Sequence, residues 1–151
     1  MKVKIKKLHS KAVVPSYAKS GDAGMDLTAV SKSFDDYGNI VYGTGLAFEI
    51  PEGYVGLIFP RSSNSKKDLL LSNSVGVIDS GYRGEVTFKF KVSNLDYYGA
   101  DVMYYKGIQD YKVGDRIGQI IILPYPKIEF IEVDELSETE RGSGGYGSTG
   151  K

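Results

Sequence analysis

An all-β domain, a barrel or a sandwich, is the fold this 151-residue sequence predicts. Three observations carry that expectation. Apolar and polar residues alternate over short windows, the period of a half-buried strand. The chain has 19 glycines, well above the ~7% average usage, and they punctuate the gaps between those windows. No long segment repeats its apolar residues at the 3.6-residue spacing of a helix.

The elements follow in order. Val3 and Ile5 alternate with lysines. Leu46, Phe48 and Ile50 alternate up to the turn Pro51-Glu52-Gly53, and Tyr54 to Phe59 is a short apolar run. Gly76 to Glu85 reads as strand, turn, strand. Val86, Phe88 and Phe90 then alternate against Thr87, Lys89 and Lys91. Ile117 to Leu123 is a nearly continuous apolar strand, and Ile128 to Val133 is expected as another, past Pro124 and Pro126. Ser137 to Glu140 fits the S-x-x-E capping pattern of a brief helix. Residues 134–140 are acidic and polar, and 141–151, RGSGGYGSTGK, hold too little apolar surface to fold alone. The expected division is a β domain over 1–136 and a flexible Gly-rich arm over 137–151.

Composition narrows the chemistry. Lys and Arg number 19 and so do Asp and Glu, so no bulk field draws the chain to nucleic acid or to an anionic membrane, and neither is expected as a partner. Lys2, Lys4, Lys6, Lys7 and Lys11 read as a solubilised strand edge, with a nucleic-acid arm as the alternative. No apolar stretch is long enough to span a bilayer, and MKVKIKKLHS lacks a signal-peptide core, so the cytoplasm is the default location. There is no cysteine, and His9 is the only histidine. Disulfides, thiolate nucleophiles and cysteine zinc sites are excluded, and a Ser-His-Asp triad built elsewhere would lack its imidazole. Hydrolysis would rest on carboxylates, a metal, or backbone and arginine electrostatics.

Two nucleotide-like patterns in the tail fail on context. Gly142, Gly144 and Gly147 satisfy G-x-G-x-x-G, but that fingerprint needs a strand before it and a helix after it. Gly145 to Lys151 imitates G-x-x-x-x-G-K without the Ser or Thr and the helix that close on phosphate. The tail still has a physical use. Its glycines let backbone amides approach an anion, Arg141 is a forked phosphate donor, Ser148 and Thr149 add hydroxyls, and Tyr146 offers a flat face to a base. It is a lid over a nucleotide or an idle terminus.

Other loops pose similar alternatives. Arg61, Ser62 and Ser63 follow an apolar strand and suit phosphate oxygens or a solvated turn. Asp79 sits at a turn after a strand, as a base for water or as the cap of its own turn. Asp22 and Asp26 divide between hard-metal chemistry and turn capping. Gly114-Asp115 introduces the strand of Arg116 and Gln119, and a structural salt bridge is expected for Arg116.

In combination these segments are specific. AGMDLTA (23–29), PRSS (60–63), GVIDSGYRGE (76–85), GDRIGQII (114–121) and RGSGGYGSTG (141–150) resemble, in order and spacing, the five motifs of the homotrimeric dUTP pyrophosphatases, the dUTPases. The resemblance spans 21–150. It implies a jelly-roll-like β-barrel assembled as a trimer, with active sites shared between subunits. It implies Mg²⁺-dependent hydrolysis of dUTP to dUMP and pyrophosphate by water attack on the α-phosphorus. That reaction supplies dUMP for thymidylate synthesis and keeps uracil out of DNA.

By the same resemblance, Asp79 is the catalytic carboxylate that activates the water. Tyr82 packs under the deoxyribose and leaves no room for a 2′-hydroxyl. Asn73 and the backbone of Gly76, Val77, Ile78 and Thr87 read the uracil edge. Arg61, Ser62, Ser63 and Gln119 contact phosphates. Asp26 holds waters on a Mg²⁺ chelated by the triphosphate, an outer-shell role. Arg141 clamps the γ-phosphate, Tyr146 stacks on uracil, and Ser148 and Thr149 complete the phosphate cage. Tyr146 stands where Phe is commoner, Gly81 falls at a variable position, and the tyrosine-rich stretch 95–112 is longer than usual. The rival on the same fold is a dCTP deaminase, which lacks this arm. A non-catalytic binding module is the rival of a different class.

Overall fold

The computed structural model describes residues 1–93 and 108–145. It contains ten strands: β1 Lys4–Lys7, β2 Met25–Thr28, β3 Ser31–Phe34, β4 Ile40–Gly43, β5 Leu46–Glu49, β6 Tyr54–Phe59, β7 Leu69–Leu71, β8 Gly76–Ile78, β9 Thr87–Val92 and β10 Arg116–Pro124. The only helix among the described residues is a 3-10 turn, Ser62–Lys66. Two four-stranded antiparallel sheets, ordered β2-β10-β6-β8 and β3-β4-β9-β7, are joined by a two-stranded ribbon, β1-β5. This is the expected all-β, jelly-roll-like sandwich.

The alternation that predicts the strands also builds the core. In β9, Phe88, Phe90 and Val92 turn inward while Lys89 and Lys91 face solvent. Leu27, Ile58, Ile117 and Ile120 of the first sheet join Ile40, Tyr42, Phe88 and Phe90 of the second in one buried cluster. The Tyr42 hydroxyl is buried there with its hydrogen bonds made, donating to the Tyr111 carbonyl at 2.8 Å and accepting the Tyr111 N–H at 3.2 Å.

A register shift in β10 between Arg116 and Gly118 lets consecutive residues Ile117 and Gly118 both face inward. A Cβ on Gly118 would overlap the Phe88 ring and lie 2.9 Å from the Phe59 carbonyl oxygen. Gly118→Ala is therefore expected to destabilise the fold by about 1–3 kcal/mol through overpacking. Chemical denaturation should show a lower midpoint; an unchanged one would mean the sheets are not packed at this distance.

Two sequence expectations differ from the structure. Ile128 to Val133 forms no strand, and residues 124–143 are all exposed, with Phe130 at 92% and Ile131 at 83%. The apolar pattern is there, but a strand needs a partner's backbone, and none in the described chain supplies it. Ser137 to Glu140 starts no helix; Thr139 and Arg141 close tight turns instead.

Candidate active site

The first cluster forms around β8, an edge strand bonded to β6 on one side only. Its other edge opens on a cleft of about 170 Å³, lined by Asn73, Gly76, Val77, Ile78, Asp79, Tyr82 and Thr87 among others. Main-chain groups on a free strand edge can mirror the alternating donors and acceptors of a planar base. Val77, 61% exposed, puts apolar surface beside them. Seven of the predicted site residues thus meet in one place.

Asp79 and Tyr82 belong to one turn. The Tyr82 N–H donates to the Asp79 carbonyl at 3.1 Å, so main chain closes the turn. The Asp79 carboxylate accepts no hydrogen bond from any described residue, which removes the turn-capping reading and leaves an exposed anion facing the cleft. Tyr82 folds back so that its hydroxyl donates to the Glu85 carbonyl at 3.0 Å. A Cβ on Gly84 would overlap that ring, so glycine there permits the fold-back. Glu85 secures the far end, its carboxylate accepting the Gly45 N–H at 2.7 Å.

The second cluster lies where β2, β10 and β6 run side by side. Gln119 stands opposite Asp26 on one flank and Phe59 on the other. The Asp26 carboxylate is held by two arginines, accepting from Arg61 Nε at 2.7 Å and from Arg116 Nη1 at 3.0 Å. The expected salt bridge of Arg116 is this one. Arg61 also donates to Ser63 Oγ at 3.2 Å, and Gln119 Nε2 donates to the Pro60 carbonyl at 3.0 Å. Ser62 is exposed at the start of the 3-10 turn. Behind it Tyr111 donates to Asn64 Oδ1 at 3.2 Å, and burial raises the Tyr111 phenol above its ordinary pKa. Two fixed guanidinium groups, hydroxyls and an amide make this an anion-receiving surface.

The two clusters flank β6, with Asp79 at one end, Arg61 beyond the other, and Gly76 paired with Ile58 between them. Ile78 pairs with Gly56, so Asp79 leaves the sheet beside Val55, whereas Arg61 continues past Phe59 in extended conformation. From Val55 to Arg61, at strand rise, the separation is roughly 20 Å. One chain therefore carries a base-and-carboxylate half-site and a phosphate half-site with no lining residue in common.

Comparison with known proteins decides the family. The dUTPase family model matches residues 10–150. The chain belongs to the dUTPase family. A deoxyuridine 5′-triphosphate nucleotidohydrolase from Hydrogenobaculum sp. is 40% identical over 153 residues, covering 99% of each chain. The dUTPase of Staphylococcus bacteriophage 80alpha, solved as a point mutant with dUpNHpp, superposes with a TM-score of 0.83 at 30% identity over 99% of each chain. A point mutant of the dUTPase from phage phi11 of S. aureus has a TM-score of 0.74 at 27% identity, covering 89% of this chain and 98% of that one. Its structure details the coordination of a structural Mg(II) ion.

Both Asp26 oxygens are engaged by arginines, and no group of three or more His, Asp or Glu among the described residues could cage an ion. A carboxylate so held keeps lone pairs that a metal-bound water could donate to. Arg141 is exposed, its Nε donating to the Gly144 carbonyl at 3.0 Å within its own turn, away from both clusters' hydrogen bonds. Tyr146, Ser148 and Thr149 lie outside the described residues, as do 95–107 of the tyrosine-rich stretch. Sequence reading missed Glu85, although it stands inside a quoted motif, because a glutamate bonded to a distant Gly45 leaves no local signal.

Proposed function

We propose that this dUTPase hydrolyses dUTP to dUMP and pyrophosphate in sites shared between the subunits of a homotrimer. The observation that carries it is the separation of Asp79, beside Val55, from Arg61, past Phe59, by the length of β6. A neighbouring copy brings its phosphate half-site to this chain's base cleft, and a third contributes the arm 137–151. The segment that leaves Phe130, Ile131 and Leu136 exposed supports assembly, since clustered exposed apolar side chains mark an interface.

In this reading uracil lies along the free edge of β8 and Tyr82 packs against the sugar. Asp79 accepts a proton from water as the water oxygen bonds to the α-phosphorus. The bond from that phosphorus to the α,β-bridging oxygen breaks, and pyrophosphate leaves. Arg61, Ser62, Ser63 and Gln119 hold phosphate oxygens, and Asp26 would hold water on a Mg²⁺ that accompanies the triphosphate. Mg²⁺ supplies neutralisation of phosphate charge. No described helix is long and apolar enough to cross a membrane.

The test is an assay with Mg²⁺ and, in turn, dUTP, UTP, dCTP and dTTP, reading pyrophosphate and ammonia. Pyrophosphate from dUTP in strong preference to the others is expected. Equal turnover of UTP would remove the role of Tyr82, ammonia from dCTP would favour a deaminase, and no product from dUTP would sink the reading.

A further inference from the structure

Asn39 and Thr44 are the buried polar residues among those described. Thr44 donates its hydroxyl to the Val86 carbonyl at 2.7 Å. Asn39 reaches across the sheet. Its amide nitrogen lies 3.1 and 3.0 Å from the two Asp35 oxygens, and its amide oxygen accepts from Ser72 Oγ at 2.7 Å. Asp35 also takes the N–H groups of Tyr37 and Asn39 and, at 3.0 Å, the Lys89 ammonium. These donors, the Asn39 amide foremost, hold the Asp35 carboxyl well below the usual carboxylate range. An ionised carboxylate only accepts, so the Asn39 amide must face it with its nitrogen and turn its oxygen to Ser72. The orientation is fixed by chemistry.

Ser72 lies in the turn from Leu71 to Ser74, closed by the Ser74 N–H on the Leu71 carbonyl at 3.0 Å. Asn73 is the next residue, and it lines the base cleft. Ser74 has φ +60, a conformation residues with side chains rarely adopt, and such a turn persists only where its surroundings hold it. Ser72 supplies that hold through its side chain to Asn39 and through its N–H to the Lys89 carbonyl at 2.9 Å.

We propose that Asn39 is a positioning residue for base recognition: anchored on Asp35, it grips Ser72 and so aims the turn that presents Asn73 to the base. This rests on the reading that uracil occupies the cleft. No side chain of the Asp35–Asn39–Ser72 chain lines that cleft. Its influence passes through Asn73.

The test is a double-mutant cycle in the full-length enzyme. Asn39→Ala and Ser72→Ala should each raise KM for dUTP and Kd for dUMP about three- to tenfold, the worth of one hydrogen bond. kcat should stay within about twofold, because the reacting phosphorus is untouched. Ser72→Thr keeps the hydroxyl and should behave as wild type. In an Asn73→Ala background neither alanine should raise KM further. An unchanged KM in the singles, or the same factor in both backgrounds, would overturn the proposal and leave a structural role. Ser72 is exposed, so its variant carries the cycle even where Asn39→Ala fails to fold. A wild-type enzyme that neither turns over dUTP nor binds dUMP would instead defeat the underlying reading.

Discussion

Asp79→Asn is expected to lower kcat by roughly 10²–10⁴, the usual contribution of a general base, while dUTP binding is retained. The substitution keeps the shape and removes the charge. It should leave the turn intact, because that turn is closed by the Asp79 carbonyl and the Tyr82 N–H, with no described residue bonded to the carboxylate. Folding and assembly are thus separated from chemistry at this position. Single-turnover measurement is the check, since it excludes product release as the limiting step. Near-normal single-turnover rates would show that another group activates the water.

Much of the fold was legible because apolar residues recur where the strands meet the core. In β5, β6, β9 and β10 the apolar pattern reports contact with the core directly, and in β1 alternating lysines mark an edge. β3, SKSF, could not be read this way. All its residues are exposed, and pairing with β4 holds it in place. β7 is three leucines whose sequence shows no alternation, yet Leu70 points out while Leu69 and Leu71 point in. Segment 128–133 fails in the opposite sense. Its pattern is that of a strand, but pattern states only that a face will be covered, not that the cover lies in the same chain.

The site divides along similar lines. Asp79, Tyr82 and the residues of β8 were legible because one contiguous motif folds into one cleft. Asp26, Arg61 and Gln119 come from three segments, and the sheet register brings them together. The Asn39–Ser72 bond spans 33 positions and joins two common polar residues, so no local spacing announces it. The roughly 20 Å between Asp79 and Arg61 is likewise invisible until the register of β6 against β8 is known.

Truncation after Glu140 should reduce kcat by about 10²-fold or more, the scale of losing preorganised phosphate donors, while the melting temperature stays nearly unchanged. The described part of the arm explains the second half of that expectation. Residues 141–143 are exposed, and Arg141, Gly142 and Gly144 bond only to one another and to Thr139. The sequence explains the first half. In the proposed reading Arg141, Tyr146, Ser148 and Thr149 ride on a glycine-rich segment that is entropically costly to order, and contacts with a bound nucleotide would offset that cost. Loss of the fold on truncation would make the arm structural, and surviving turnover would make it idle. Mixing the two inactive forms then tests where the arm acts. When Asp79→Asn chains and truncated chains are refolded together at equal amounts, a shared site needs its carboxylate from one subunit and its arm from another. Random assembly gives about one such complete site in four. Recovered turnover near that fraction is expected. If Asp79 and the arm that closes over it came from the same chain, every site in the mixture would lack one or the other, and activity would stay at the level of the two parents.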